Sequence, residues 1–146
     1  MRSSCMETTG SCRGAPAWSS EVGALDDARA HLAKAQEFLA AAELTLDLDL
    51  FNAATSSAVS SGINSKDAIC LRLTGVSRKT DNHAQAVAEL AQAGGVGAAL
   101  TQTFSRLLRM KPAAQYQASS VTPADAGKAV QWAMRMLQVA TDVVRS

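Results

Sequence analysis

Leu44-Thr45-Leu46-Asp47-Leu48-Asp49-Leu50 alternates an apolar with a polar residue at every step, the period of a half-buried β-strand. How this stretch is read decides the fold class. A strand needs a partner, and the β-branched and aromatic alternation that would supply one is nearly absent from the rest of the chain. The stretch is also short. It therefore reads as the end of one helix and the turn into the next, and the chain as all-α.

Upstream, Leu25, Ala28, Leu32, Ala35, Phe38, Leu39 and Ala42 keep a helical stripe that reaches Leu46. Ser19 or Ser20 is suited to cap that helix, with Glu21 in its first turn. Residues 1–18 are polar and small, with Pro16 and two glycines, and are expected to form a disordered leader before a helical domain over 19–146. Met6 is as good a start as Met1. Downstream, a second helix is predicted over Leu48 to Leu73, stopping before Gly75. Between Ala54 and Ala68 it is crowded with Ser, Thr and Asn, which weaken intrinsic helicity, so packing must hold it. Small polar residues suit close helix contact, and Ser60, Asn64 and Asp67 share one face that would make a polar groove.

After a loop from Gly75 to Asn82, His83 opens a short helix that Gly94-Gly95 should end. A fourth helix is predicted from Ala98 to Met110, stopped by Lys111 and Pro112. Thr122-Pro123-Ala124-Asp125 signals a helix start, with Thr as cap, Pro at the first helical position and an acid at the third. Its apolar face is Ala126, Ala129, Val130, Ala133, Met136, Leu137, Ala140 and Val144. The expected architecture is an up-and-down helical bundle of four to five helices, two of them short.

Composition agrees. Of 146 residues 47% are hydrophobic but only 4% aromatic, so the core is built of small side chains that let helices approach closely. The net charge of +1 supplies no global field for nucleic acid, and any RNA contact would have to be local. Three cysteines do not suggest a disulfide framework. Cys70 lies in a helical apolar pattern and reads as a buried free thiol. No apolar run reaches membrane-span length and residues 1–18 lack a signal-peptide core, so a cytoplasmic protein is expected.

Zinc, P-loop, Rossmann, EF-hand and nucleophile-elbow patterns are all missing, and no metal or cofactor is expected. Asp47 and Asp49 read as solvated carboxylates. His31 reads as exposed on the first helix. His83 sits at a helix N-terminus beside Asp81 and Asn82, where a capping role competes with a chemical one. Arg78 and His83 form a loop pair of the kind that metal-free RNA cleavage needs, one to hold a phosphate and one to move a proton. Ser105 to Tyr116 places Arg106 and Arg109 at a helix end before Lys111 and the chain's single tyrosine. Such an arrangement suits a phosphate or a proton donor, or a plain helix stop.

The order of these pieces resembles the HEPN superfamily, helical domains often paired with minimal nucleotidyltransferases in prokaryotes. The resemblance covers residues 25–144. It rests on Ala35-Gln36-Glu37-Phe38-Leu39, Leu50-Phe51-Asn52-Ala53-Ala54, Asp67-Ala68-Ile69-Cys70-Leu71 with Gly75, and Asp81-Asn82-His83 with Ala86-Val87. Leu107 to Tyr116 and Thr122 to Ala133 complete it. Active HEPN ribonucleases carry an Arg, four to six residues, then His, in some cases with Tyr two residues later. On this chain the arginine is Arg109 and the tyrosine Tyr116, and the histidine position is Ala114, which cannot exchange a proton. Val59-Ser60-Ser61 stand where many relatives have an aromatic pair, leaving that face more open and polar.

The resemblance implies a non-catalytic, homodimeric binding module, the partner of a nucleotidyltransferase in a toxin–antitoxin-like pair. A metal-independent ribonuclease using Arg109, Tyr116 and His83 is the second reading. A small-ligand or nucleotide site is the third. Asn64, Asp67, His83, Arg109, Lys111 and Tyr116 are the candidate binding residues.

Overall fold

The computed structural model describes residues 17–146, with side chains from Val22 onward. Residues 1–16 of the expected leader lie outside the described residues, and α1 already runs through Ser19 and Ser20, which therefore lie inside the helix rather than cap it. Helices follow one another as α1 (Ala17–Asp47), α2 (Phe51–Thr74), α3 (His83–Ala91), α4 (Gly94–Leu108), α5 (Lys111–Gln115) and α6 (Pro123–Arg145). Among the described residues there is no strand, and the protein is an all-α bundle. No described helix is long and apolar enough to cross a membrane.

The alternating stretch is a helix end, as its isolation predicted. Leu50 N–H donates to Thr45 C=O (2.9 Å) and Asp49 N–H to Leu46 C=O (3.0 Å), the paired bonds of a Schellman close. Asp49 takes the left-handed position at φ 59°, which a short polar side chain tolerates. Leu44, Leu48 and Leu50 stay half or more exposed, so the alternation never buries one face as a strand would.

α1 and α2 pack along much of their length, and α6 lies against both. The seam on α1 is Ala28, Leu32, Ala35 and Ala42, with Leu39 packed against it. That spacing averages 3.5 residues, the repeat that keeps one narrow stripe facing a partner helix. Three of the five are alanines, so the helix backbones meet closely. Opposite them α2 buries Ala54, Ala58, Ser61, Ser65 and Ala68. Ser61 Oγ donates across the seam to Ala35 C=O at 2.8 Å, which explains how a serine-rich helix survives in a core. Thr122 caps α6, its hydroxyl accepting from Asp125 N–H at 3.2 Å. The predicted α6 face is buried except Leu137, which is half-buried at the core's edge.

Two boundaries differ from expectation. Gly94-Gly95 does not end α3 but starts α4, with Gly94 at φ 87° making the corner. Lys111 and Pro112 do not simply stop a helix. Pro112 sits in the first turn of α5, where its missing N–H costs nothing.

Two glycines set how closely helices approach. A Cβ on Gly97 would collide with the Leu90 carbonyl of α3, and one on Gly62 with the Leu107 side chain of α4. Gly127 has open space around it. Gly97→Ala should lower the melting temperature, because overpacking against backbone costs about 1–3 kcal/mol. Gly127→Ala should raise it, through a helix-propensity gain of up to about 1 kcal/mol. Thermal melts of the two variants check both signs.

Candidate functional site

The dominant polar feature begins at Lys66 of α2, whose side chain is only 2% exposed. A buried ammonium is tolerated only when its protons are all taken by partners. Lys66 Nζ donates to Asp67 Oδ1 (3.3 Å), to Ser77 Oγ (3.1 Å) and to Glu89 Oε1 of α3. Ser77 Oγ donates in turn to Asp67 Oδ1 at 2.6 Å. Both Glu89 oxygens lie 3.1 Å from Arg78 N–H. One lysine thus ties α2, α3 and the loop over residues 75–82 together.

Burial alone would raise the Glu89 carboxyl. The hydrogen bond from Lys66, the Arg78 N–H, the Lys66 charge and Ser77 outweigh it and hold the group below its ordinary value. Cys70, one turn along α2, is a buried free thiol as expected. Burial, only partly opposed by Lys66, raises it to about 11, so it stays protonated and unreactive.

The fastened loop forms one wall of a cleft of about 300 Å³, the lower end of the size range for small-molecule sites. Ile63, Ala86, Phe104 and Leu108 make an apolar side. Lys34, Arg78, Lys79 and Lys111 make a cationic rim, with Asp67 and Asp81 as the carboxylates. Four of the predicted residues meet here, namely Asn64, Asp67, His83 and Lys111. His83 is not the cap of α3; Asn82 is, its Oδ1 accepting from Gln85 N–H at 3.1 Å. The His83 ring is therefore free to face the cleft.

Arg109 and Tyr116 lie elsewhere. Arg109 is exposed, its guanidinium 3.3 Å from Ser105 Oγ. It shares a shallow depression with His83, Ser105 and Leu108. α5 carries the chain away from the cleft, since Gln115 Nε2 donates to Ser56 Oγ at 2.8 Å. Tyr116 follows at 73% exposure.

His31, expected to be exposed, is instead a cleft residue with a side chain 21% exposed. Its Nδ1 lies 2.8 Å from Asn64 Oδ1. Asn64 Nδ2 donates to Ser60 C=O at 2.9 Å, which fixes the amide so that Oδ1 faces the ring. His31 Nδ1 must then be the donor, leaving Nε2 to accept or, when protonated, to donate. Asp67 Oδ2 is 3.8 Å from the same nitrogen. Lys34, Lys66, Glu89 and His31 are among the site residues that sequence reasoning missed. The only available signal was a lysine one residue from Asp67 in an otherwise small-residue helix.

Among the described residues no group of three or more His, Cys, Asp or Glu is placed to hold a metal ion. No protein-family model matches the chain, and comparison with curated proteins gives no match.

Lys66→Met should cost about 3–5 kcal/mol, because it leaves two carboxylates without their cation; urea unfolding measures this. The lowered Glu89 carboxyl contributes stability that is fully present above the ordinary value of 4.5. That contribution is lost as pH falls from there through the folded-state value. In Glu89→Gln this part of the acid-side loss should vanish, read from urea midpoints between neutral pH and pH 3. Iodoacetamide should leave Cys70 unmodified in the folded protein and alkylate it in denaturant, as peptide mapping would show.

Proposed function

We infer that this chain is a non-catalytic, HEPN-type helical binding module that recognises an anionic group in the cleft between α1, α2, the 75–82 loop and α4. The observation that carries the reading is the cleft's charge. Five cations (Lys34, Lys66, Arg78, Lys79, Lys111) and two carboxylates (Asp67, Asp81) line it, and with Glu89, the further partner of Lys66, the excess is two against a chain net of +1. Lys66 is consumed by its own partners, so the rim cations are the ones left for a ligand. Ala114 in the family's histidine position supports a binding role over a catalytic one. On this reading the protein is a cytoplasmic prokaryotic homodimer, and its partner is a nucleotidyltransferase in a toxin–antitoxin-like pair. The cationic cleft also suits the phosphate of a nucleotide.

A metal-independent ribonuclease is the second reading, favoured by two histidines, His31 and His83, lining one cationic cleft. It differs from the version built on Arg109 and Tyr116, which lie outside the cleft. Single-stranded RNA incubated with purified protein and EDTA separates the readings. The binding-module reading expects no cleavage above that of a His31→Ala, His83→Ala double variant. Cleavage by the wild type that the double variant loses would overturn it. Calorimetry with AMP should further show binding that weakens at least roughly tenfold in Lys34→Glu or Lys111→Glu, provided that the occupant is a nucleotide.

A further inference from the structure

Three depressions on the surface share walls. His83 and Leu108 line both the cleft and the shallow depression beside it. Arg109 lines that depression and a third one, which Arg106, Asp125, Lys128 and Trp132 complete between α4 and α6. The cleft is therefore one end of a band of adjoining depressions around the C-terminal turns of α4 that ends at Trp132.

The band holds seven cations besides Lys66: Lys34, Arg78, Lys79, Arg106, Arg109, Lys111 and Lys128. They are half of the chain's 14 lysines and arginines. Among the described residues every ion pair involves His31 or Lys66, so none of the seven has a described carboxylate within 4.0 Å. Unpaired cations concentrated on one face of a nearly neutral chain call for an anionic partner.

Resting on the binding-module reading, we propose that this band docks an acidic polypeptide segment of a partner protein, with one apolar side chain anchored in the cleft. The apolar side formed by Ile63, Phe104 and Leu108 gives that anchor a place to bury, as interface anchors require. The carboxylates decide between polyanions. Asp81 lines the cleft and Asp125 the far depression. A nucleic-acid strand carries a charge at every nucleotide and so sets phosphates against both. A polypeptide places its acids opposite the cations and neutral or donor groups opposite Asp81 and Asp125. Trp132 then packs on the peptide's aliphatic or backbone surface.

Fluorescence anisotropy tests this with a labelled short peptide that alternates glutamate with serine around one central leucine. A glutamine-for-glutamate control, an oligo-U RNA and AMP are the comparison probes. The expected result is salt-sensitive binding of the acidic peptide, weakened roughly tenfold or more in an Arg106→Glu, Lys128→Glu double variant. Both residues are exposed, and circular dichroism confirms that the variant folds. Replacing the central leucine with serine should weaken binding further. Equal binding of the glutamine control, or no loss in the double variant, overturns the proposal. Tighter binding of oligo-U that the same variant abolishes assigns the band to nucleic acid and overturns it too. AMP binding without peptide binding overturns the acidic-segment proposal while the binding-module reading stands. Binding of no probe at all overturns both.

Discussion

The buried ammonium of Lys66 is the constraint from which the wall of the cationic cleft follows. Taking a charged lysine out of water is costly, and the structure offsets this with Asp67, Glu89 and Ser77, all within hydrogen-bond reach. These partners come from different segments. Satisfying one side chain therefore fixes α3 against α2 and sets the path of the loop between them. A hydrophobic residue at position 66 would pack those helices without dictating where residues 77 and 78 go. The cluster also holds two carboxylates to one ammonium, and His31 stands 3.8 Å from Asp67.

The small-residue core makes that arrangement reachable. Alanines at 28, 35 and 42 bring the α1 backbone close to α2, and Gly62 lets α4 approach from another side. With backbones so near, medium-length side chains such as Asn64 and Asp67 reach across to His31. Close packing and the polar cluster are thus two consequences of one sequence habit. Serines and alanines fill the contact positions, and a few long polar residues line the cleft beside them.

Helix identity was legible in the sequence wherever a local signal had a local cause. Thr122-Pro123 caps and starts α6 by contacts within one turn, Gly75 closes α2 by its left-handed backbone, and Leu44 to Leu50 lacked any strand to pair with. The misread boundaries carry signals with two local meanings. A glycine pair ends one helix or opens the corner into the next, and a proline stops a helix or occupies the first turn of another. Half of the candidate site was legible for a similar reason: Asn64 and Asp67 share a helix face by spacing alone. Its other half depends on pairings 33 residues apart for His31 with Asn64 and 23 for Lys66 with Glu89, which no local pattern encodes.

The separation of Arg109 from Tyr116 shows how one turn of backbone redistributes a linear motif. In sequence the two lie seven residues apart, and a continuous helix would stack them on one face with Lys111 on the opposite side. α4 instead ends at Leu108, and α5 restarts at Lys111 along α2, held by the bond from Gln115 to Ser56. Lys111 turns to the cleft, Arg109 stays on the outer surface of α4, and Tyr116 is carried toward the N-terminal part of α2. The cations of this segment thereby line three depressions rather than one catalytic point. That division explains why a cationic surface extends around α4 while Tyr116 stands apart from it.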